Sequence, residues 1–320
     1  MTVPLRWSLD EADAATTSID LHRQVGVPVD VPVIVFEIGA DDDPTIWERV
    51  AARLRPLPVV TVARRGPYVD AIGDDVDGLV AAVLERPHAA TVAALLLRHL
   101  PDDPLAAFHL ESAAYATLQA GPGHRAWLDR QGRRVRHDDA PRVQLDDDGQ
   151  LLTLSLTRPR LHNLLDRRGR DELADAFRTI AAVDPERPVR WNAIGPSFCA
   201  GGDPSEFGTV PDPSSAHLTR AAASPAVPLL AVRHRVHAHV HGACVGAGIE
   251  LAAQAFRITA TPDTRFRLPE LTMGLIPGVG GTWSVARRIG TQRLLRWLLL
   301  DLEVDSETAL RWGLVDTIAV

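Results

Sequence analysis

Two hydrophobic periods alternate along this chain. Residues 32–39 read P-V-I-V-F-E-I-G, a β-branched run that fits a buried strand. Asp41-Asp42-Asp43-Pro44 supplies a helix start, and helical spacing then continues to about Arg55. Residues 57–63, L-P-V-V-T-V-A, give a second strand that stops at Arg64-Arg65-Gly66-Pro67. Strand, helix and strand in this order predict parallel pairing. Residues 1–30 show only weak periodicity. From Asp74 the period turns helical: 76–84, 88–100 and 104–118 keep apolar residues at helical spacing, the last with Pro104 in its first turn. Gln119-Ala120-Gly121-Pro122-Gly123 ends that helix, and 124–129 forms a short further one.

Residues 130–142 are charged and polar (R-Q-G-R-R-V-R-H-D-D-A-P-R) and read as a linker. They divide a smaller N-terminal α/β-to-helical unit, 1–135, from a second unit, 143–320. The second unit alternates again. Strands are expected at 151–156, 189–194, 235–240, 258–260 and 265–268. Helices are expected at 168–182, 280–289, 293–300 and 306–312, with 211–222 as a lid or helix over a ligand. The whole is an α/β protein.

Composition narrows the function classes. With 320 residues, 46% of them apolar, the chain can build a large core. A net charge of −7 without a basic run disfavours nonspecific nucleic-acid binding. Residues 89–97 are the closest approach to a membrane span and are too short, and the N-terminus has no apolar signal core. A cytoplasmic protein without membrane or nucleic-acid partners is therefore expected. Cys199 and Cys244 are too few for a disulfide framework and read as small buried residues. His237, His239 and His241 alternate on one face of a strand, but no Cys or carboxylate is patterned with them, so no metal is expected.

The chemistry concentrates in two glycine turns. Gly242, Gly246 and Gly248 flank a loop between an apolar strand and a helix start at Ile249. Such a turn leaves the first helical N–H groups unpaired, where they can hold an oxyanion. Glu250, one turn on, suggests acid–base work. A second turn, S-F-C-A-G-G-D at 197–203, follows the 189–194 strand and can add a second donor to the same oxyanion. Neither G-A-G-I-E-L nor G-V-G-G-T-W has the third glycine of a dinucleotide fingerprint.

F-C-A-G-G-D-x-x-E-F, H-G-A-C-V-G-A-G-I-E-L-A and F-R-L-P-E-L-x-M-G-L-I-P-G-V-G-G-T together resemble the enoyl-CoA hydratase/isomerase (crotonase) superfamily over about 143–320. The resemblance implies a crotonase fold of repeated ββα units and hydration of a 2-enoyl-CoA. It makes Glu250 and Glu270 the two catalytic acids, since their spacing of twenty residues is the hydratase spacing. It makes the N–H groups of Ala200 and Ala247 the oxyanion donors. Leu161, Asn163, Leu164, Gly201, Gly202, Asp203, Gly246, Gly248, Pro269 and Gly278 then contact coenzyme A or the acyl group, although Asp203 is also a natural helix cap. Arg158, Arg160 and Arg265 are candidates for the coenzyme A phosphates. Coenzyme A enters as part of the substrate, no bound cofactor is expected, and a homotrimer or hexamer is implied. The family segment ends at Gly313-Leu314-Val315-Asp316, where relatives usually add a helical tail. Residues 75–131 resemble that tail in order, which suggests a permuted-looking arrangement. Isomerase, lyase or hydrolase chemistry, and a noncatalytic CoA-binding or scaffold role, remain as alternatives.

Overall fold

The computed structural model describes residues 4–131, 139–183, 185–210 and 212–319. Most of the expected linker, 132–138, lies outside the described residues. The first sheet is parallel throughout and runs in chain order: Leu5–Trp7, Val33–Phe36, Val60–Ala63, Ala71–Ile72. Leu5–Trp7 is too short for its period to show in the sequence. Every residue of Val33–Phe36 and Val60–Ala63 is buried, which is why those stretches read as unbroken apolar runs. Asp43 caps helix Pro44–Leu54 by accepting the Thr45 N–H. That helix brings Trp47 against Phe36, with ring centroids 4.6 Å apart, in a small core with Trp7, Val50 and Leu54.

The second sheet has six strands, in the order Thr317–Ile318, Arg257–Ala260, Val236–Val240, Val189–Ala193, Leu152–Leu156 and Val143–Asp147. All pairs are parallel except the last, an antiparallel hairpin. Its outer strand, Val143–Asp147, was not apparent in the sequence because no residue in it is fully buried. A third sheet joins Val304–Asp305, Arg265–Arg267 and Ala243–Val245. The two glycine turns leave Val189–Ala193 and Val236–Val240, neighbours in the large sheet, so they emerge side by side.

Helices Val76–Glu85, Pro87–Arg98, Pro104–Gln119 and Pro122–Arg130 follow the first sheet. Their buried side chains, such as Leu79, Ala94, Phe108 and Tyr115, share one core with Trp283, Leu294 and Trp297 of the second half. No single helix among the described residues is long and apolar enough to cross a membrane. Arg98 ends helix Pro87–Arg98 and ties it to the first sheet. It pairs with Asp70 and donates to the carbonyls of Leu57 (3.0 Å) and Val59. Both partners are nearly buried, so removing one leaves a charge without water or counter-ion. Arg98→Ala is expected to lose about 3–5 kcal/mol of stability, read as a lower urea midpoint. Adding Asp70→Ala should cost much less than its own single-mutant loss, because the pair is already broken.

Candidate active site

Glu250 is carried by the short helix Ala247–Ala252 and is buried. Its Oε2 accepts the N–H groups of Val279 (2.8 Å) and Gly281 (3.1 Å). Its Oε1 makes no hydrogen bond among the described residues, and the side chain lines a cavity of about 270 Å³. The two N–H groups belong to the turn that opens helix Gly281–Ile289, where first-turn amides have no intrahelical acceptor. A Cβ at Gly281 would stand 2.4 Å from Glu250 Cγ, so only glycine admits the acid. Burial pushes the Glu250 carboxyl well above the usual carboxylate range, and the charges of Glu270 and Glu111 add to this. The Val279 and Gly281 N–H groups pull it back.

Glu270 opens the turn Glu270–Met273 and lines the same cavity. Its Oε2 is fully buried with no hydrogen-bond partner among the described residues. Its Oε1 lies 2.8 Å from where a Cβ on Gly246 would stand, and Gly246 has φ 49°. Burial pushes this carboxyl up to about 8, with Asp301 and Glu111 adding and Arg267 opposing. Two acids thus share one wall: Glu250 is anchored by the backbone donors of another turn, whereas the backbone N–H that pulls on Glu270 is its own.

The free amides of the two glycine turns differ from expectation at one position. The Ala200 N–H is already donated to the His162 carbonyl at 2.9 Å, so it cannot serve a ligand. Leu165 pairs with Gly202 as a parallel bridge, donating to Gly201 O and accepting from Asp203 N. That pattern, with Gly201 at φ 98°, leaves the Gly202 N–H without an acceptor among the described residues. Ala247, the first residue of its helix, also keeps an unpaired N–H. Gly202 and Ala247 both line the cavity. A parallel backbone β-bridge between Cys199 and Cys244, both free thiols, holds the two turns together, and a Cβ at Gly248 would stand 2.7 Å from the Cys199 carbonyl oxygen. Burial pushes the Cys199 thiol up to about 12, so it is no nucleophile.

Gly201, Gly246, Pro269 and Gly278 also line the cavity, whereas Leu161, Asn163, Leu164, Asp203 and Gly248 do not. Asn163 is a clamp within the fold. Its amide donates to the carbonyls of Ile194 (3.0 Å) and Ser197 (2.8 Å), and its oxygen accepts the Arg158 N–H. Asp203 is buried and caps the next turn through Ser205, with Arg158 at 3.3 Å. Arg158 lies buried between Asp166 and Asp203 and is not a phosphate ligand, while Arg160 is exposed. His237 bonds Thr259 and His241 bonds the Gly195 carbonyl, and no metal-binding cluster exists among the described residues.

Four residues escaped the sequence reading. Glu111, Tyr115 and Gln119 come from helix Pro104–Gln119, and Arg220 comes from helix Pro213–Ala223. Tyr115, Gln119 and Arg220 line the cavity. The Arg220 guanidinium lies 4.4 Å from the Tyr115 ring centroid and donates to Gln119 (3.1 Å) and Ser112 (3.2 Å), stitching the two helices together. A glutamate and a serine on the apolar face of a helix were the available signal.

The sequence profile of the enoyl-CoA hydratase/isomerase family matches residues 147–320. The chain belongs to this family, and its fold is the crotonase fold. Among solved structures, enoyl-CoA hydratase subunit I from Geobacillus kaustophilus HTA426 is 28% identical, with a TM-score of 0.52 over 55% of this chain and 68% of that one. The enoyl-CoA hydratase of Mycobacterium smegmatis is 28% identical, with a TM-score of 0.51 over 57% and 71%. A Thermobifida fusca YX protein, provisionally described as an enoyl-CoA hydratase and solved in complex with CoA, is 25% identical, with a TM-score of 0.51 over 56% and 72%.

The Glu270 environment has a consequence for stability. An unfolded glutamate releases its proton near 4.5, whereas the folded one keeps it to about 8. The folded state binds the extra proton, so stability from this site is fully present below 4.5 and is lost as pH rises to about 8. Glu270→Gln keeps a neutral group there at every pH. Its melting temperature relative to wild type should therefore climb between pH 5 and 8 and level off above. A difference that does not vary with pH would mean that Glu270 ionises normally.

Proposed function

We propose that this chain adds water across the double bond of a 2-enoyl-CoA. The observation that carries the reading is the shared cavity: two buried acids on its wall and two unpaired backbone N–H groups, of Gly202 and Ala247, at its side. The N–H groups receive the thioester oxygen and need no reorganisation when charge forms on it. A water between the acids gives a proton to Glu250 as its oxygen bonds C3. The electron pair of the double bond moves through C2 to the thioester oxygen as an enolate. Glu270 gives its proton to C2 as the enolate collapses. Glu250 has then gained a proton and Glu270 lost one, and exchange through solvent resets the pair. The roles follow from the donors. Both carboxyls are raised by burial, but two N–H groups hold Glu250 Oε2 and suit it to act as base, whereas Glu270 Oε2 has no hydrogen-bond partner among the described residues and its carboxyl is pushed up to about 8, which suits it to give a proton.

Coenzyme A is the activating group of this substrate, as the CoA complex of the Thermobifida fusca relative supports. In this reading helix Pro104–Gln119 covers the acyl-CoA, since Tyr115 and Gln119 line the cavity from that side. With crotonyl-CoA, the wild type is expected to bleach the enoyl absorbance. Glu250→Gln and Glu270→Gln should each lower kcat about 100-fold or more. A 3-enoyl substrate that gains enoyl absorbance, without bleaching of crotonyl-CoA, would instead identify an isomerase. Thioester binding without turnover of any kind would identify a noncatalytic subunit.

A further inference from the structure

Four successive amides, Val279 to Thr282, are divided between two carboxylates. Glu250 takes those of Val279 and Gly281 on a single oxygen. Glu111 takes the other two: its Oε1 accepts the Gly280 N–H at 2.7 Å, and its Oε2 accepts the Thr282 N–H at 2.9 Å and the Thr282 hydroxyl at 2.6 Å. Glu111 is almost fully buried and stands on helix Pro104–Gln119, well outside the segment that matches the family. The turn alternates its amides between the two carboxylates. Gly280 has φ 95°, and a Cβ there would meet Phe108 Cε1 at 2.7 Å. Both oxygens of Glu111 face N–H donors, so only a carboxylate satisfies the site. A glutamine would turn its amide nitrogen toward either Gly280 or Thr282 and leave a buried N–H without an acceptor.

We propose that Glu111 is a positioning residue for Glu250: it fixes the 279–282 turn so that Val279 and Gly281 hold Oε2 and leave Oε1 facing the cavity. The inference rests on the acid–base reading of Glu250. Misplacing a catalytic group by about 1 Å is enough to slow a reaction on the order of 100-fold. Substrate binding is expected to survive, because the Gly202 and Ala247 donors lie on other turns.

The test compares wild type with Glu111→Gln and, as a milder change, Thr282→Val, which removes only the hydroxyl donor. For Glu111→Gln the expected result is a fall in crotonyl-CoA kcat of about 10-fold or more with KM within threefold. Thr282→Val should show a smaller fall of the same kind. Unchanged kcat in Glu111→Gln, or kcat and KM worsening together with a lower melting temperature, would overturn the proposal and leave the hydratase reading standing. A crystal structure of Glu111→Gln reads the geometry independently of turnover. Displacement of the Glu250 carboxylate from Val279 and Gly281 is expected, and retention of both hydrogen bonds would contradict the inference even if wild type hydrates nothing.

Discussion

The structure depends on the first turn of helix Gly281–Ile289. Amides at the start of a helix have no partners of their own, and here they are buried where water cannot supply one. Two glutamates from distant parts of the chain meet that need. Each would be costly to bury alone, and each is held by two backbone donors. The glycines at 280 and 281 follow from the same constraint, since a side chain at either would strike a neighbour. The contact also joins the helices of the N-terminal half to the half that matches the family, so that one apolar core runs through both.

Against this anchored acid, Glu270 is the opposite case. It is buried to a similar degree, yet its Oε2 finds no donor and burial holds its proton. The contrast gives two residues of one type different surroundings in one cavity. The free amides at the cavity obey the same accounting of hydrogen bonds. Of the amides in the first glycine turn, that of Ala200 is spent on His162, whereas that of Gly202 is free to meet a ligand.

Much of this was legible in the sequence where the pattern was local. The buried parallel strands and the helices of 76–130 could be read from period, and the Glu250 and Glu270 motifs from their resemblance to the family. Leu5–Trp7 and Val143–Asp147 were not, one being too short and the other too exposed to show a period. The identity of the free amide was also hidden, because it depends on the Leu165–Gly202 bridge, a pairing between segments far apart in sequence. Glu111 was hidden for the same reason. Helical spacing places it on a buried face but does not say which turn that face meets.

The most direct measurement is a crystal structure with butanoyl-CoA, a thioester that carries the carbonyl but no double bond to hydrate. The account predicts the thioester oxygen about 2.7–3.1 Å from the nitrogens of Gly202 and Ala247, with Glu250 Oε1 and the Glu270 carboxyl facing C3 and C2. A thioester seated away from those amides, or with its acyl carbons turned from either acid, would contradict it.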